Sequence, residues 1–314
     1  MGQSALQVAM GVRADLFEPR AGDFHNARGE DVGLCRVGGL GKTHGYERMV
    51  GLAAPALREA IGEETLLWPV CVALPARGRK DDDERFETRF MQDVAHKCGL
   101  RVSPNQVDVV RAGHAGGVEV LRRASERLDA GAEAVVVGGV DSFHHPDVLA
   151  ELDASYRIHA IGVDDGFIPG EAAAFIVLRP HRAGAIAQLV DARVAEEQTL
   201  KDDERPNLAE AITSLVRDAA GTAAPWVMTD VTGEHWRQRE WQMVSLRHDL
   251  HNEVLALPAS VGDVGAASCP LMVAIAATWW RHGCAPAGKV LLLTSSDGPE
   301  RGVALLAGAG EADA

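Results

Sequence analysis

The chain predicts an α/β fold built twice over. Strand-like and helix-like runs alternate along it, the pattern of helices packed on a sheet. A glycine-opened helix, a glycine stop and an aliphatic strand occur once in each half. The 314 residues, 46% hydrophobic and 24% charged, are enough to bury a large core and are not disordered in composition. The halves are expected at residues 1–180 and 181–314.

In the first half, Leu66 to Leu74 reads as a buried strand, weakened by Pro69. An acidic helix over Asp82 to Cys98 follows, with Phe86, Phe90, Val94 and Ala95 on one face. Val107 to Val110 is a short strand. Gly113-His114-Ala115-Gly116-Gly117 then opens a helix ending near Leu128, where Gly131 stops it. Ala134 to Val140 is a strand buried on both faces, and Phe175 to Leu178 another.

In the second half, Ala187 to Ala195 reads as a strand. Asn207 caps a helix to Ala219, with Pro206 ahead of it. Val227 to Val231 is a strand, followed by a tryptophan-rich segment from His235. Gly262-Asp263-Val264-Gly265-Ala266-Ala267 opens a helix of small apolar residues ending near His282. Gly288 to Thr294 and Gly302 to Ala307 are the last strands. Helices entered through small residues approach closely, so both N-termini should face one cleft that favours negative charge.

Lys and Arg number 31 against 45 Asp and Glu, a net charge of −14, and aromatic residues are 5%. That balance repels phosphate backbones and lacks a stacking surface, so nucleic acid is excluded as a partner. The five cysteines include no CxxC pair, which argues against a disulfide framework or structural zinc and for a reducing cytoplasm. No apolar run is long enough to span a bilayer, and the start has no secretory pattern. Leu6 stands where a myristoylation signal needs Ser or Thr.

Three segments invite sharper readings than they support. Val37-Gly38-Gly39-Leu40-Gly41-Lys42-Thr43 resembles a P-loop, but Arg36 stands where the first glycine belongs and no convincing strand precedes it, so it reads as a flexible loop. His144-His145 with Asp147 lacks a third spaced metal ligand and reads as a polar turn. Asp81-Asp82-Asp83-Glu84 reads as the solvated first turn of a helix.

Gly166-Phe167-Ile168-Pro169-Gly170-Glu171-Ala172-Ala173-Ala174-Phe175 is more specific. It resembles the Gly-x-x-x-Gly-Glu-Gly-Ala motif of the β-ketoacyl-acyl-carrier-protein synthases of the thiolase superfamily, with Ala172 replacing one glycine. Val137 to Ser142 resembles the strand those enzymes place after the nucleophile helix. The resemblance runs from about Ala5 to the C-terminus. It implies a duplicated thiolase-like fold, layered α-β-α-β-α with two central mixed sheets, and an outer first strand that is not seen in this sequence, either because the start is late or because the strand is absent. It also implies dimers joined through their sheets, with Val107 to Val110 at the edge.

In that family a cysteine on the buried helix takes an acyl group as a thioester, and two histidines support decarboxylative condensation. The resemblance puts the nucleophile position at His114. The first histidine position falls at Asp230, in Val227 to Gly233. The second falls at Asp263, in Pro258-Ala259-Ser260-Val261-Gly262-Asp263, where Pro258 also replaces a lysine. The family's glycine-rich gating loop is Ser296 to Arg301. Two carboxylates would repel an enolate, so ordinary condensation is not expected.

His114, Asp230 and Asp263 should nevertheless share a cleft, joined by Glu234 and His235. A histidine beside carboxylates has a raised pKa and is able to act as a base or metal ligand. The simpler reading, a decayed site whose polar groups satisfy one another, is preferred. Cys269 reads as a packed core thiol. No cofactor or metal is implied. Three functions follow. The first is a degenerate ketosynthase-like protein that binds an acyl thioester or acyl-carrier protein, as a homodimer or paired with an active ketosynthase. The second is an acyltransferase or thioester hydrolase using His114 with Asp230 or Asp263. The third is a scaffold without ligand.

Overall fold

The first helix, α1 (Ala5–Arg13), starts where Ser4 accepts a hydrogen bond from the Gln7 amide. The computed structural model describes residues 3–64, 68–180, 184–200, 203–220, 226–250 and 253–309. A hairpin of β1 (Arg20–His25) and β2 (Asp31–Leu34) leads to α2 (Gly45–Ile61). The first large sheet takes up β3 (Val70–Ala73), β4 (Val107–Val110), β5 (Val135–Ser142) and β6 (Glu171–Leu178). Between these strands lie α3 (Arg85–Thr88), α4 (Phe90–Lys97), α5 (Gly116–Asp129) and α6 (Pro146–Ala154).

The second half supplies β7 (Ala187–Glu196), α7 (Glu210–Ala220), β8 (Trp226–Thr229), α8 (His235–His248), β9 (Val254–Ala256), α9 (Leu257–Val261), α10 (Ser268–Arg281), β10 (Lys289–Ser295) and β11 (Glu300–Gly308).

Strand order is β4-β3-β5-β6 in one sheet and β9-β8-β10-β11-β7 in the other. In each, one central strand runs parallel to two neighbours, and an antiparallel strand follows. Thus β3, β4, β5 and β6 match β8, β9, β10 and β11. Only β7 lacks a counterpart among the described residues, so β6 ends its sheet where β11 has a further antiparallel partner.

Helices α5 and α10 fill the space between the sheets. Val118, Leu121 and Ala124 of one join Met272, Ile275 and Ala276 of the other in a single core. They touch where Gly117 meets Cys269 and Pro270: a Cβ on Gly117 would lie 2.7 Å from both. Only glycine permits that crossing. Helices α2 and α4 cover the outside of the first sheet, and α7 and α8 the outside of the second. The layers are therefore α-β-α-β-α.

Several local expectations need correction. Leu66 and Leu67 lie outside the described residues, and the strand there is only Val70–Ala73. The single helix expected over Asp82 to Cys98 is two, broken at Arg89, whose φ of −148° is not helical. The acidic run is not simply solvated: Asp81 is buried against Arg79, Asp82 binds Arg111 and Asp83 binds Arg85. Asn207 does not cap α7. Its amide bridges the Ala209 N–H and Glu240, Ala209 takes a φ of 55°, and the helix starts at Glu210. The tryptophan-rich segment is α8. A strand, β2, does precede the glycine-rich loop, but it pairs antiparallel with β1 instead of feeding a parallel sheet.

Candidate functional site

Backbone contacts between the halves place the first site residue. Gly170 N–H donates to the Asp263 carbonyl at 2.8 Å, and Asp263 N–H donates to the Ile168 carbonyl at 2.8 Å. A Cβ on Gly170 would come within 2.6 Å of the Val261 carbonyl oxygen, which accounts for that glycine of the motif. Beside it Glu171 points inward to Arg48. The pair is fully buried, with Nε–Oε2 at 2.5 Å and Nη2–Oε1 at 2.6 Å, and Ser142 and the Val37 amide also donate to the carboxylate.

Asp263, ahead of α10, meets His114, in the 3-10 turn ahead of α5. His114 Nε2 lies 2.7 Å from Asp263 Oδ1, and both are buried. The same carboxylate oxygen accepts the Gly265 amide at 2.9 Å. Asp230, just past β8, is also buried. Its Oδ2 accepts the Ser295 amide at 2.9 Å and lies 3.7 Å from Arg237. The fold thus brings together all three positions inferred from the sequence.

Their charges balance internally. Burial disfavours the His114 imidazolium, but Asp263, helped by Asp230, outweighs it and the pKa rises. Burial pushes Asp263 the other way, yet His114 and Arg237 bring its pKa down. Asp230 is raised, chiefly by burial.

Four more residues form an ionic network that reaches the site through Arg237, 3.7 Å from Asp230. Arg157 binds Glu234 at 2.7 Å and Asp297 at 2.7 Å, and Arg237 binds Glu234 at 3.3 Å and Asp297 at 3.0 Å. The result is a ring of alternating charge: desolvation opposes ionisation of the half-exposed Asp297, but Arg237 and Arg157 hold its carboxyl far below the usual range. Beneath the ring Ser296 accepts the Ala115 amide at 3.0 Å and donates to the Ala112 carbonyl at 2.5 Å. Its hydroxyl thus occupies the entry turn of α5, where a developing oxyanion would need free donors. None of His114, Asp230 and Asp263 lines the surface hollows at Arg205–Trp236, Ile186–Trp280, Phe17–Leu40 or Asp108–Arg127.

No protein-family model matches this sequence, and no curated protein matches it. Solved structures do. The ishigamide ketosynthase/chain length factor superposes with a TM-score of 0.71 at 17% identity, covering 97% of this chain and 95% of that one. The ketosynthase from module 6 of the bacillaene synthase of Bacillus subtilis 168 gives 0.65 at 12% identity, over 84% of this chain and 58% of that one. AbyA1, a tetronic acid condensing enzyme, gives 0.58 at 15% identity, over 93% and 98%.

The chain has the ketosynthase-like thiolase fold.

Within this thiolase fold the remaining candidates fall away from the site. Glu234 joins the ring, but the His235 side chain is exposed and only its amide is engaged, by Asp165. Cys269 is fully buried, which drives its thiol pKa up and leaves it unreactive. His145 caps α6 by accepting the Asp147 amide at 3.2 Å, while burial pushes neighbouring His144 down to about 4. Among the described residues no group of three or more His, Cys, Asp or Glu is placed to hold a metal, and no helix is long and apolar enough to cross a membrane.

The sequence reading missed Arg157, Arg237 and Ser296 as site residues. Arg237 carried a local signal, three residues after Glu234 at the start of one helix, and Ser296 was visible only as part of a changed loop. Asp297 was visible only as a change in a loop.

The His114–Asp263 pair has a pH signature. A histidine pKa raised by folding contributes stability below its ordinary value, and that contribution is lost as pH rises through the folded value. Asp263, lowered by folding, contributes above its ordinary value and loses it only in acid. Asp230, raised by folding, contributes stability that is lost as pH rises from its ordinary value to its folded one. The thermal midpoint should therefore fall between about pH 6 and about pH 9, and fall less in His114→Gln. Parallel slopes for the two proteins, measured by circular dichroism, would refute this.

Proposed function

We propose that this protein is a non-condensing thiolase-fold subunit that serves acyl-thioester chemistry through a partner with an intact thiol. The observation that supports this reading best is the buried His114–Asp263 pair, which lies where an acyl-accepting cysteine is expected and under a closed ionic ring. A neutralised, occupied site has neither nucleophile nor open oxyanion donors, so the protein forms no acyl-enzyme. Its contribution is then a surface: among the described residues β4 pairs only with β3 and leaves a sheet edge for a homodimer or for an active ketosynthase. The likeness to the ishigamide ketosynthase/chain length factor favours the second arrangement.

Incubation with acyl-CoA or acyl-carrier-protein thioesters should leave the intact mass unchanged. Co-expression with a separate ketosynthase should yield a mixed complex on size exclusion. A covalent acyl adduct on any residue, or a homodimer that excludes every ketosynthase offered, would overturn this reading. One observation favours an alternative, a hydrolase, because a histidine 2.7 Å from a carboxylate is the geometry of an oriented base. Thioester hydrolysis abolished by His114→Ala would establish it.

A further inference from the structure

The two sheets end differently beyond their antiparallel strand. In the second, β11 is followed by β7, paired antiparallel from Glu300 opposite Glu196 to Gly308 opposite Ala187. In the first, β6 is the counterpart of β11, and among the described residues it pairs with β5 alone. Burial differs accordingly. Strand β11 is buried from Arg301 to Gly308, whereas Ala173, Ile176, Val177 and Leu178 of β6 are half-buried.

The register shows which backbone groups are left over. The Phe143 amide donates to the Gly170 carbonyl at 3.1 Å, and these two residues continue the register that sets Ser142 opposite Glu171. Hydrogen-bonded pairs alternate along antiparallel strands, so Ala172, Ala174, Ile176 and Leu178 turn their N–H and C=O groups toward β5. Ala173, Phe175 and Val177 turn theirs away from it, at intervals of about 7 Å. No described residue hydrogen-bonds to the backbone of those three. Unpaired peptide groups on a largely buried strand are costly, and an added strand satisfies them.

The edge also lacks the features that keep sheet ends from pairing. Terminal β7 bulges at Val190 and carries an Asp191–Arg193 ion pair. From Ala172 to Leu178, β6 holds neither charge nor proline, and its register with β5 is unbroken. Its surroundings suit an aliphatic strand. Ala172, Ala174 and Ile176 belong to the core between the sheets, the same core against which β7 packs Leu189, Ala192 and Val194. Ala173, Phe175 and Val177 belong to the core outside the first sheet.

We propose that the free edge of β6 binds an extended aliphatic strand of another protein, antiparallel, through the backbone groups of Ala173, Phe175 and Val177. The assignment rests on the fold alone and does not depend on the function proposed above.

A fluorescein-labelled peptide with the β7 sequence, Ala187 to Glu196, is the probe, because that segment pairs in this way in the other sheet. Titrated with the intact protein, its anisotropy should rise to saturation. Only alternate residues of an added strand face β6. N-methylation of one alternate set should therefore abolish binding, and methylation of the other should change it less than about threefold. Val177→Pro removes an outward N–H and spares the bonds to β5, so it should weaken the peptide about tenfold and leave the thermal midpoint near that of the parent. Should this variant prove unstable, the methylated peptides decide. Absence of saturable binding, equal loss from both methylated sets, or unchanged binding to folded Val177→Pro would each overturn the proposal. A dimer of the parent dispersed by the peptide would place a second copy on the edge and would overturn it too.

Discussion

Arg48→Met should lower the free energy of unfolding by about 3–5 kcal/mol, the usual result of stranding one member of a buried ion pair. Glu171 is fully buried and its carboxylate accepts from Arg48 Nε and Nη2, Ser142 Oγ and the Val37 amide. The contact joins α2 to the first residue of β6 and fixes the loop at Val37, so it ties an outer helix to the sheet. Without the guanidinium, the hydroxyl and amide cannot offset the dehydrated charge. Arg48→Met combined with Glu171→Leu should recover most of the loss, because an apolar pair of similar volume leaves no buried charge. Urea unfolding at neutral pH measures both. A single variant within about 1 kcal/mol of the parent would show that water already reaches Glu171.

Reinstating the residues of an active condensing enzyme should fail. His114→Cys with Asp230→His and Asp263→His should form no acyl-enzyme with acyl thioesters and should unfold more easily than the parent. Asp230 accepts the Ser295 amide and Asp263 the Gly265 amide, and both face Arg237 electrostatically. Removing the two carboxylates strands those donors and leaves Arg237 to its remaining partners. The new thiol would sit where His114 is only 4% exposed, beneath Ser296 and the ring. Adding Arg157→Ala and Asp297→Gly should open the way, and only then should a maleimide label residue 114 in peptide mass spectra. Acylation of the triple variant with the ring intact would contradict this.

How much of this was readable in the chain depends on the range of the interactions. The strands around Val135 and Leu291 announced themselves as continuous aliphatic runs, because both of their faces are buried. The helices opening at Gly116 and Ser268 were marked by small residues whose crowding the Gly117 crossing explains. Helix breaks were harder, since Arg89 and Ala209 depart from helix for tertiary reasons that propensity does not carry. The site divides in the same way. His114, Asp230 and Asp263 were located by the motifs that flank them. Arg157 and Asp297 lie 140 residues apart, and a contact of that span leaves no periodicity to read.

The ring has built-in redundancy. Each of its four members holds two partners of opposite charge, so a single substitution removes two ion pairs but leaves each neighbour a second partner. Opening the space beside His114 and Asp263 therefore demands coordinated changes at Arg157, Glu234, Arg237 and Asp297.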